Sequence, residues 1–286
     1  KNFFANIKAV VVDEIHAFAG DDRGWHLLAV LDRISSLSRC DIQRVGLSAT
    51  VGNPEVLLKW LTGKADGNGR VIAPPGESAT NANVEVDYVG NLPNAATVIS
   101  RLHRGEKRLV FCDSRSQVES LAAELRRLQV QTFVSHSSLS ADERRRAEEA
   151  FAEARNCVIV ATSTLELGID VGDLDRVIQI DVPPTVAAFL QRLGRTGRRT
   201  GTTRNCLFLA TSEEALIRTT GLLQLWKEGY VEPVFPPQKP YPVIAQQMLA
   251  LCLQESGIGR HTWAVWLTTV FYGTGIGAVE REQLID

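Results

Sequence analysis

Across its 286 residues the sequence has five cysteines, one methionine and no strong excess of either charge, with 33 acidic side chains against 31 basic ones. The cysteines, at positions 40, 112, 157, 206 and 252, never form a Cys-x-x-Cys pair. That removes the usual spacing of zinc ribbons and iron–sulfur sites. Three of them, Cys112, Cys157 and Cys206, sit inside apolar runs, as reduced, buried thiols do. No apolar run approaches the roughly 18 residues of a membrane helix, and the opening KNFFANIKAV lacks a signal-peptide cleavage pattern, so the expected setting is cytoplasmic. Near-neutral charge excludes a wholly basic nucleic-acid coat protein but not a local basic groove. Residues 101–204 hold 17 Lys/Arg against 14 Asp/Glu, a mildly basic stretch in a mildly acidic chain.

What is present is alternation. Short apolar, β-branched runs at 7–12, 43–47, 108–112, 130–135, 157–161, 176–180 and 205–210 predict strands. Between them, apolar residues at helical spacing predict helices over 24–37, 55–61, 116–128, 141–152 and 186–193. Such βαβ units imply parallel sheets covered on both faces. The alternation breaks between 62 and 83, rich in Gly, Pro, Ser and Asn, and again after 210, where helical patterns run over 213–229, 243–255 and 262–272. VEPVFPPQKPYP, with five prolines, forbids a helix across 231–242 and is expected to be the first site of protease cleavage. The expected domains are therefore 1–80, 81–212 and a separate, mainly helical 213–286.

Ligands of open parallel sheets lie beyond the carboxyl ends of the strands, where the chemistry-bearing residues are expected to cluster. Asp13 and Glu14 end the run AVVV. Adjacent carboxylates there suit Mg²⁺, which prefers one or two carboxylates plus waters and phosphates, although a lone Asp-Glu pair equally serves as a helix N-cap. Further on come Gly46-Leu47-Ser48-Ala49-Thr50, Val110-Phe111-Cys112-Asp113-Ser114-Arg115, His136-Ser137-Ser138-Leu139-Ser140, Thr162-Ser163-Thr164 and Gln191-Arg192-Leu193-Gly194-Arg195-Thr196-Gly197-Arg198.

In this order the segments resemble the helicase motifs of superfamily two, and DEIHA, GLSATVGNPE, SHSSLS, ATSTLELGIDVGDLDRVIQID and QRLGRTGRR resemble the Lhr (large helicase-related) family of DExH-type ATP-dependent helicases. The resemblance is dense from 7 to about 210 and softer over the helical tail. It implies two RecA-like α/β lobes, the first entered partway, followed by a winged-helix-like module. The implied activity is an ATP-driven translocase moving 3′ to 5′ on single-stranded DNA and unwinding DNA or RNA–DNA duplexes, usually in repair.

On that resemblance Asp13 holds Mg²⁺, Glu14 activates water, and His16 links the segment Ser48, Ala49 and Thr50 to Gln191. Arg195 and Arg198 neutralise charge at the γ-phosphate of ATP, as guanidinium forks do well. Glycines beside them are expected to let the backbone approach a ligand. Gly168 and Asp170 are expected at the nucleotide, Asp170 on the ribose or Arg198. Ser114, Arg115, Ser138, Thr162 and Ser163 would bond nucleic-acid phosphates without reading sequence. Arg144, Arg145 and Arg146, among glutamates, read as a solvated helix face, and Trp263 and Trp266 as core.

No Gly-x-x-x-x-Gly-Lys-Ser/Thr phosphate loop occurs in the 286 residues; Gly63-Lys64 is followed by Ala65. The expectation is a piece of a longer motor, holding half an ATPase site and inactive alone. A motor remnant that only binds nucleic acid or a partner, and a translocase subunit of a restriction system, remain the other readings.

Overall fold

The computed structural model describes residues 2–63, 69–73, 82–163, 174–199 and 201–285. It divides into two compact units, Lys1–Pro74 with Glu232–Asp286, and Pro75–Val231.

In the first unit, β1 (Ala9–Val12) pairs in parallel with β2 (Gln43–Gly46), flanked by α1 (His16–Ala19), α2 (Asp22–Leu37) and α3 (Pro54–Thr62). The α2 helix starts where the Asp21 carboxylate accepts the Arg23 amide, satisfying one of the four amides a helix start leaves open. It buries Trp25, Leu28 and Leu31 at helical spacing, each worth roughly 1.5–3 kcal/mol of apolar burial.

The tail is mainly helical, as expected, and clusters with the first unit rather than by itself. The helices α9 (Tyr241–Glu255), α10 (Thr268–Thr274) and α11 (Ala278–Gln283), with a 3₁₀ turn at Trp263–Leu267, belong to the first unit. Ile244, Leu251, Trp263, Leu267 and Val270 join Trp25, Leu28 and Trp60 in one core, so Trp263 is a core residue as expected and Trp266, half-buried, packs against its edge. Asp32, 3 % exposed, pairs with Arg44 at 2.8 Å and accepts the amides of Thr269 and Val270 at 2.7 and 3.3 Å. The proline-rich segment is pinned as well. Asn53 exchanges two hydrogen bonds with the Val234 backbone, and Trp25 Nε1 donates to the Pro237 carbonyl at 2.7 Å. Prolines stopped the helix as expected, but the backbone they left extended found partners. Residues 232–285 carry no strand among those described.

The second unit is a six-stranded, all-parallel sheet of the RecA-like kind. Its strands are β3 (Ala82–Tyr88), β4 (Lys107–Phe111), β5 (Thr132–Ser135), β6 (Cys157–Ala161), β7 (Arg176–Ile180) and β8 (Arg204–Ala210), ordered β3-β8-β7-β4-β6-β5. Cores on both faces enclose it. One joins Val118, Leu121 and Leu125 of α5 (Arg115–Arg127) and Ile99 of α4 (Leu92–Arg101) to the sheet. The other brings Phe151 of α6 (Ala141–Glu153), Phe189 of α7 (Val186–Leu193) and Leu222 of α8 (Glu213–Lys227). The helix α8 thus packs with this sheet rather than with the tail. Cys112, Cys157 and Cys206 are buried in these cores, and burial pushes the Cys206 thiol up to about 12.

Two elements of this unit, β3 and α4, were not legible as apolar runs. β3 is an edge strand with an exposed face, so only Val84, Val86 and Tyr88, alternating at period two, mark it. Arg145 lies along α6 beside Asp142 and Glu149, as a solvated face.

Candidate functional site

In the first unit the ladder places the carboxylates. Val12 pairs with Gly46, the Leu47 amide donates to the Val12 carbonyl at 2.8 Å, and the Ile15 amide donates to Leu47 at 2.9 Å. Asp13 and Glu14 therefore leave β1 at its carboxyl end, held between two backbone bonds. A Cβ at Gly46 would fall 2.8 Å from Ile15 Cδ1, so a larger residue there would push the Ile15 side chain aside. Glu14 turns the chain through φ 51°, a left-handed conformation that costs a non-glycine residue of order 1–3 kcal/mol and that clusters at functional sites. Its amide donates to Asp13 Oδ1 at 2.9 Å. The pair is not a helix N-cap: α1 has Ile15 at its N-cap position and no side-chain cap, and α2 uses Asp21.

His16 is brought to the second segment as expected. Its Nδ1 lies 3.2 Å from Ser48 Oγ and accepts the Ala49 amide at 3.4 Å. Burial lowers the ring's pKa more strongly than Glu14 and Asp13 raise it. A ring nitrogen that accepts a backbone N–H carries no proton, so the imidazole is neutral with its proton on Nε2. The 3.6 Å approach of Glu14 Oε2 to Nδ1 is then a contact without ion pairing. Thr50 follows, exposed, and Gln191 belongs to the other unit.

Asp13 is exposed at the strand end, and no cluster of three or more metal-ligating side chains exists among the described residues. This donor set fits Mg²⁺, which takes one or two carboxylates and fills its octahedron with water and phosphate, and does not fit a closed protein cage.

In the second unit, the carboxyl ends of β4, β5 and β6 converge. The Cys112 amide donates to Ala161 at 2.9 Å and the Thr162 amide to Ser135 at 3.2 Å. This brings together Ser114, Arg115, Ser138, Thr162 and Ser163. Ser114 caps α5 by accepting the Gln117 amide, Ser140 caps α6 in a capping box with Glu143, and Arg115 Nη1 donates to Ser138 Oγ. Two helix N-termini and a guanidinium on one rim make an anion-binding edge. It lies at the carboxyl end of β4, which sends the chain one way across the sheet to β5 while its neighbour β7 sends it the other way to β8, the expected position for a ligand.

Arg195 and Arg198 are elsewhere. The helix α7 runs back against the strands, so its end falls at the amino end of the sheet, where Thr196 exchanges hydrogen bonds with the Asn205 backbone at the start of β8. The expectation that all chemistry gathers at carboxyl ends fails here because a crossover helix reverses direction. Arg198 is exposed, donates from Nε to Gly194 at 3.1 Å, and lines a cavity of ≈ 440 Å³ with Asp175, Arg176, Arg199, Thr203 and Asn205. Arg195 is half-buried. Gly197, at φ 69°, lines the same cavity, and a Cβ there would fall 2.6 Å from the Arg204 nitrogen, so the close packing needs glycine. Gly168 and Asp170 lie outside the described residues.

Sequence reading passed over Arg192. It is 2 % exposed, donates to Gln179 Oε1, stacks 4.8 Å over Phe111 and approaches Asp113 at 3.9 Å. The available signal was its place between Phe189 and Leu193 on the apolar face of α7.

Against known proteins, residues 1–57 match the DEAD/DEAH box helicase family and residues 91–200 the helicase conserved C-terminal domain. The chain is 32% identical to ATP-dependent helicase Lhr-Core protein 2 of Thermococcus barophilus, over 87% of this chain and 31% of that protein. It is 29% identical to the Lhr helicase/probable uracil glycosylase of Mycolicibacterium smegmatis, over 87% of this chain and 19% of that protein. The chain thus spans about a fifth to a third of the length of these relatives. Among solved structures, Mycobacterium smegmatis helicase Lhr bound to ssDNA and AMP-PNP superposes with a TM-score of 0.85 at 28% identity, covering 99% of this chain and 38% of that one. Helicase MrfA bound to DNA shares the fold, with a TM-score of 0.65 at 21% identity over 85% of this chain and 35% of that one. Sequence relatives, domain matches and fold agree that the chain belongs to the Lhr family of superfamily-two ATP-dependent helicases.

Proposed function

We propose that the protein is part of an ATP-driven translocase that moves 3′ to 5′ along single-stranded DNA and unwinds DNA or RNA–DNA duplexes in a repair setting. The observation that carries this reading is the Asp13–Glu14 pair at the carboxyl end of β1, with His16 tied to Ser48 and Ala49 beside it. Five thiols without a disulfide suit the cytoplasm.

In this reading Asp13 holds hydrated Mg²⁺, which when bound offsets phosphate charge. Glu14 orients a water molecule and takes its proton as the water oxygen bonds to the γ-phosphorus and the bond to the leaving oxygen of ADP breaks. Arg195 and Arg198 neutralise the charge that develops on the transferred phosphoryl group. Asp170 and Gly168 contact the nucleotide. Ser114, Arg115, Ser138, Thr162 and Ser163 hold the DNA backbone, which makes affinity fall with salt. Because no phosphate loop occurs in the 286 residues, the reading has this chain bind DNA but not hydrolyse ATP by itself.

The test is ATP hydrolysis by the chain with and without single-stranded DNA, alongside DNA binding at low and moderate salt. Salt-sensitive binding without hydrolysis is expected. Salt-insensitive binding, or none, would overturn the assignment of the carboxyl rim, and DNA-stimulated hydrolysis would overturn the inactivity of the isolated chain.

A further inference from the structure

Behind the carboxyl rim of the second unit stands a pair that none of the roles above uses. His136 follows β5 and is 5 % exposed; its Nε2 lies 2.7 Å from Glu119 Oε1. A carboxylate can only accept, so the ring donates. The other ring nitrogen, Nδ1, is buried with no hydrogen-bond partner among the described residues. Glu119 is thus the described polar anchor of this imidazole, and its own side chain is 55 % exposed.

Glu119 and Arg115 lie four residues apart on α5, the spacing that places two side chains on one helix face. Arg115 reaches Ser138 Oγ, and Glu119 reaches His136. Between those points the loop turns tightly, with the Leu139 amide on the His136 carbonyl at 3.1 Å, and enters α6 at the Ser140 cap. The first two turns of α5 therefore fasten the 136–140 loop twice, from beneath through a buried ring and at the rim through an exposed guanidinium.

We propose that Glu119 and His136 are positioning residues that set the 136–140 loop, and with it Arg115 and Ser138, in register for a nucleic-acid phosphate. The proposal rests on the reading of this rim as a DNA-backbone site. Its sign is unusual. A carboxylate close to a polyanion's path repels it, so deleting one ordinarily tightens binding. If Glu119 positions the loop, deleting it weakens binding.

The test is fluorescence anisotropy of a labelled oligothymidine on the 286-residue chain, with melting curves to confirm folding. Glu119→Ala is expected to weaken binding about tenfold, while Glu119→Gln, which keeps the acceptor and loses the charge, stays within about twofold. Combining Glu119→Ala with Arg115→Ala is expected to bind within about twofold of Arg115→Ala alone, since residues acting as one unit are not additive. If Glu119→Ala melts below the assay temperature, Glu119→Met, of similar length without an acceptor, is read by the same criteria. Unchanged or tighter binding by the folded Ala or Met variant overturns the proposal, as does a Gln variant as weak as Ala. Failure of the unsubstituted chain to bind the probe overturns the DNA-backbone reading, and this proposal with it.

Discussion

The half-buried imidazole of His16 accepts the backbone amide of Ala49 at 3.4 Å. This bond ties the loop after β1 to the loop after β2, and it exists only while Nδ1 is unprotonated. Its folded-state pKa is depressed below the ordinary 6.5 by burial, so the unfolded chain binds the proton more readily. Stability from this group is complete above about pH 6.5 and declines as pH falls from there toward the folded-state value. Between pH 7.5 and 5.5, His16→Gln should lose less melting temperature than the parent chain. An equal loss in both would mean that the ring is not the proton acceptor.

Asp32 should be the most sensitive single position of the first unit. It serves Arg44 and two amides of α10 at once, and removing one partner of a buried pair costs about 3–5 kcal/mol. Asp32→Ala should therefore lower the denaturant midpoint of tryptophan fluorescence, which reports mainly on Trp25, Trp60, Trp263 and Trp266 of that unit. A shift under ~1 kcal/mol would show that the tail docks by apolar contact alone.

Arg192 predicts a different pattern in the second unit. Arg192→Met keeps bulk over Phe111 but leaves Gln179, 1 % exposed, without that donor, an unmade bond worth about 1–3 kcal/mol. Arg192→Ala adds a cavity and should cost more. Asp113 sits at the surface and can turn to water. Chemical denaturation of the two variants checks the order.

For chemistry the informative contrast is Glu14→Gln against Arg195→Ala. In a form of the protein that hydrolyses ATP, losing the base should cut turnover at least ~100-fold, with nucleotide binding kept. Arg195→Ala should cut turnover while leaving DNA affinity intact, because Arg195 and the residues proposed to hold DNA occupy opposite ends of one sheet. Steady-state turnover and oligonucleotide binding on the same preparations decide both.

Limited proteolysis tests the proline-rich strap. With Asn53 and Trp25 holding Val234 and Pro237, cleavage within 231–242 should be slow in the parent chain and fast in Asn53→Ala. Rapid cutting of the parent would return the tail to the status of an independent module.

The central strands were legible because they are apolar throughout: CVIVA of β6 is buried at every position. The order of motifs was legible too, and with it the family. What the sequence could not display was pairing across long separations. Asp32 finds Thr269, 237 residues away, and no local pattern announces that. Nor does composition distinguish a buried arginine from an exposed one: the motif drew notice to Arg195, and only the apolar face of α7 hinted at Arg192. The direction of α7 was the subtler miss, since βαβ logic implies that the end of a crossover helix lies far from the end of the strand before it.

That reversal has a mechanical meaning. Strands of five residues at about 3.3 Å each hold the rim of Ser114 and Arg115 and the rim of Arg195 and Arg198 roughly 17 Å apart, on a sheet packed on both sides. Close-packed interiors have low compressibility. The second unit is therefore built like a strut: a rigid body whose two ends face different groups.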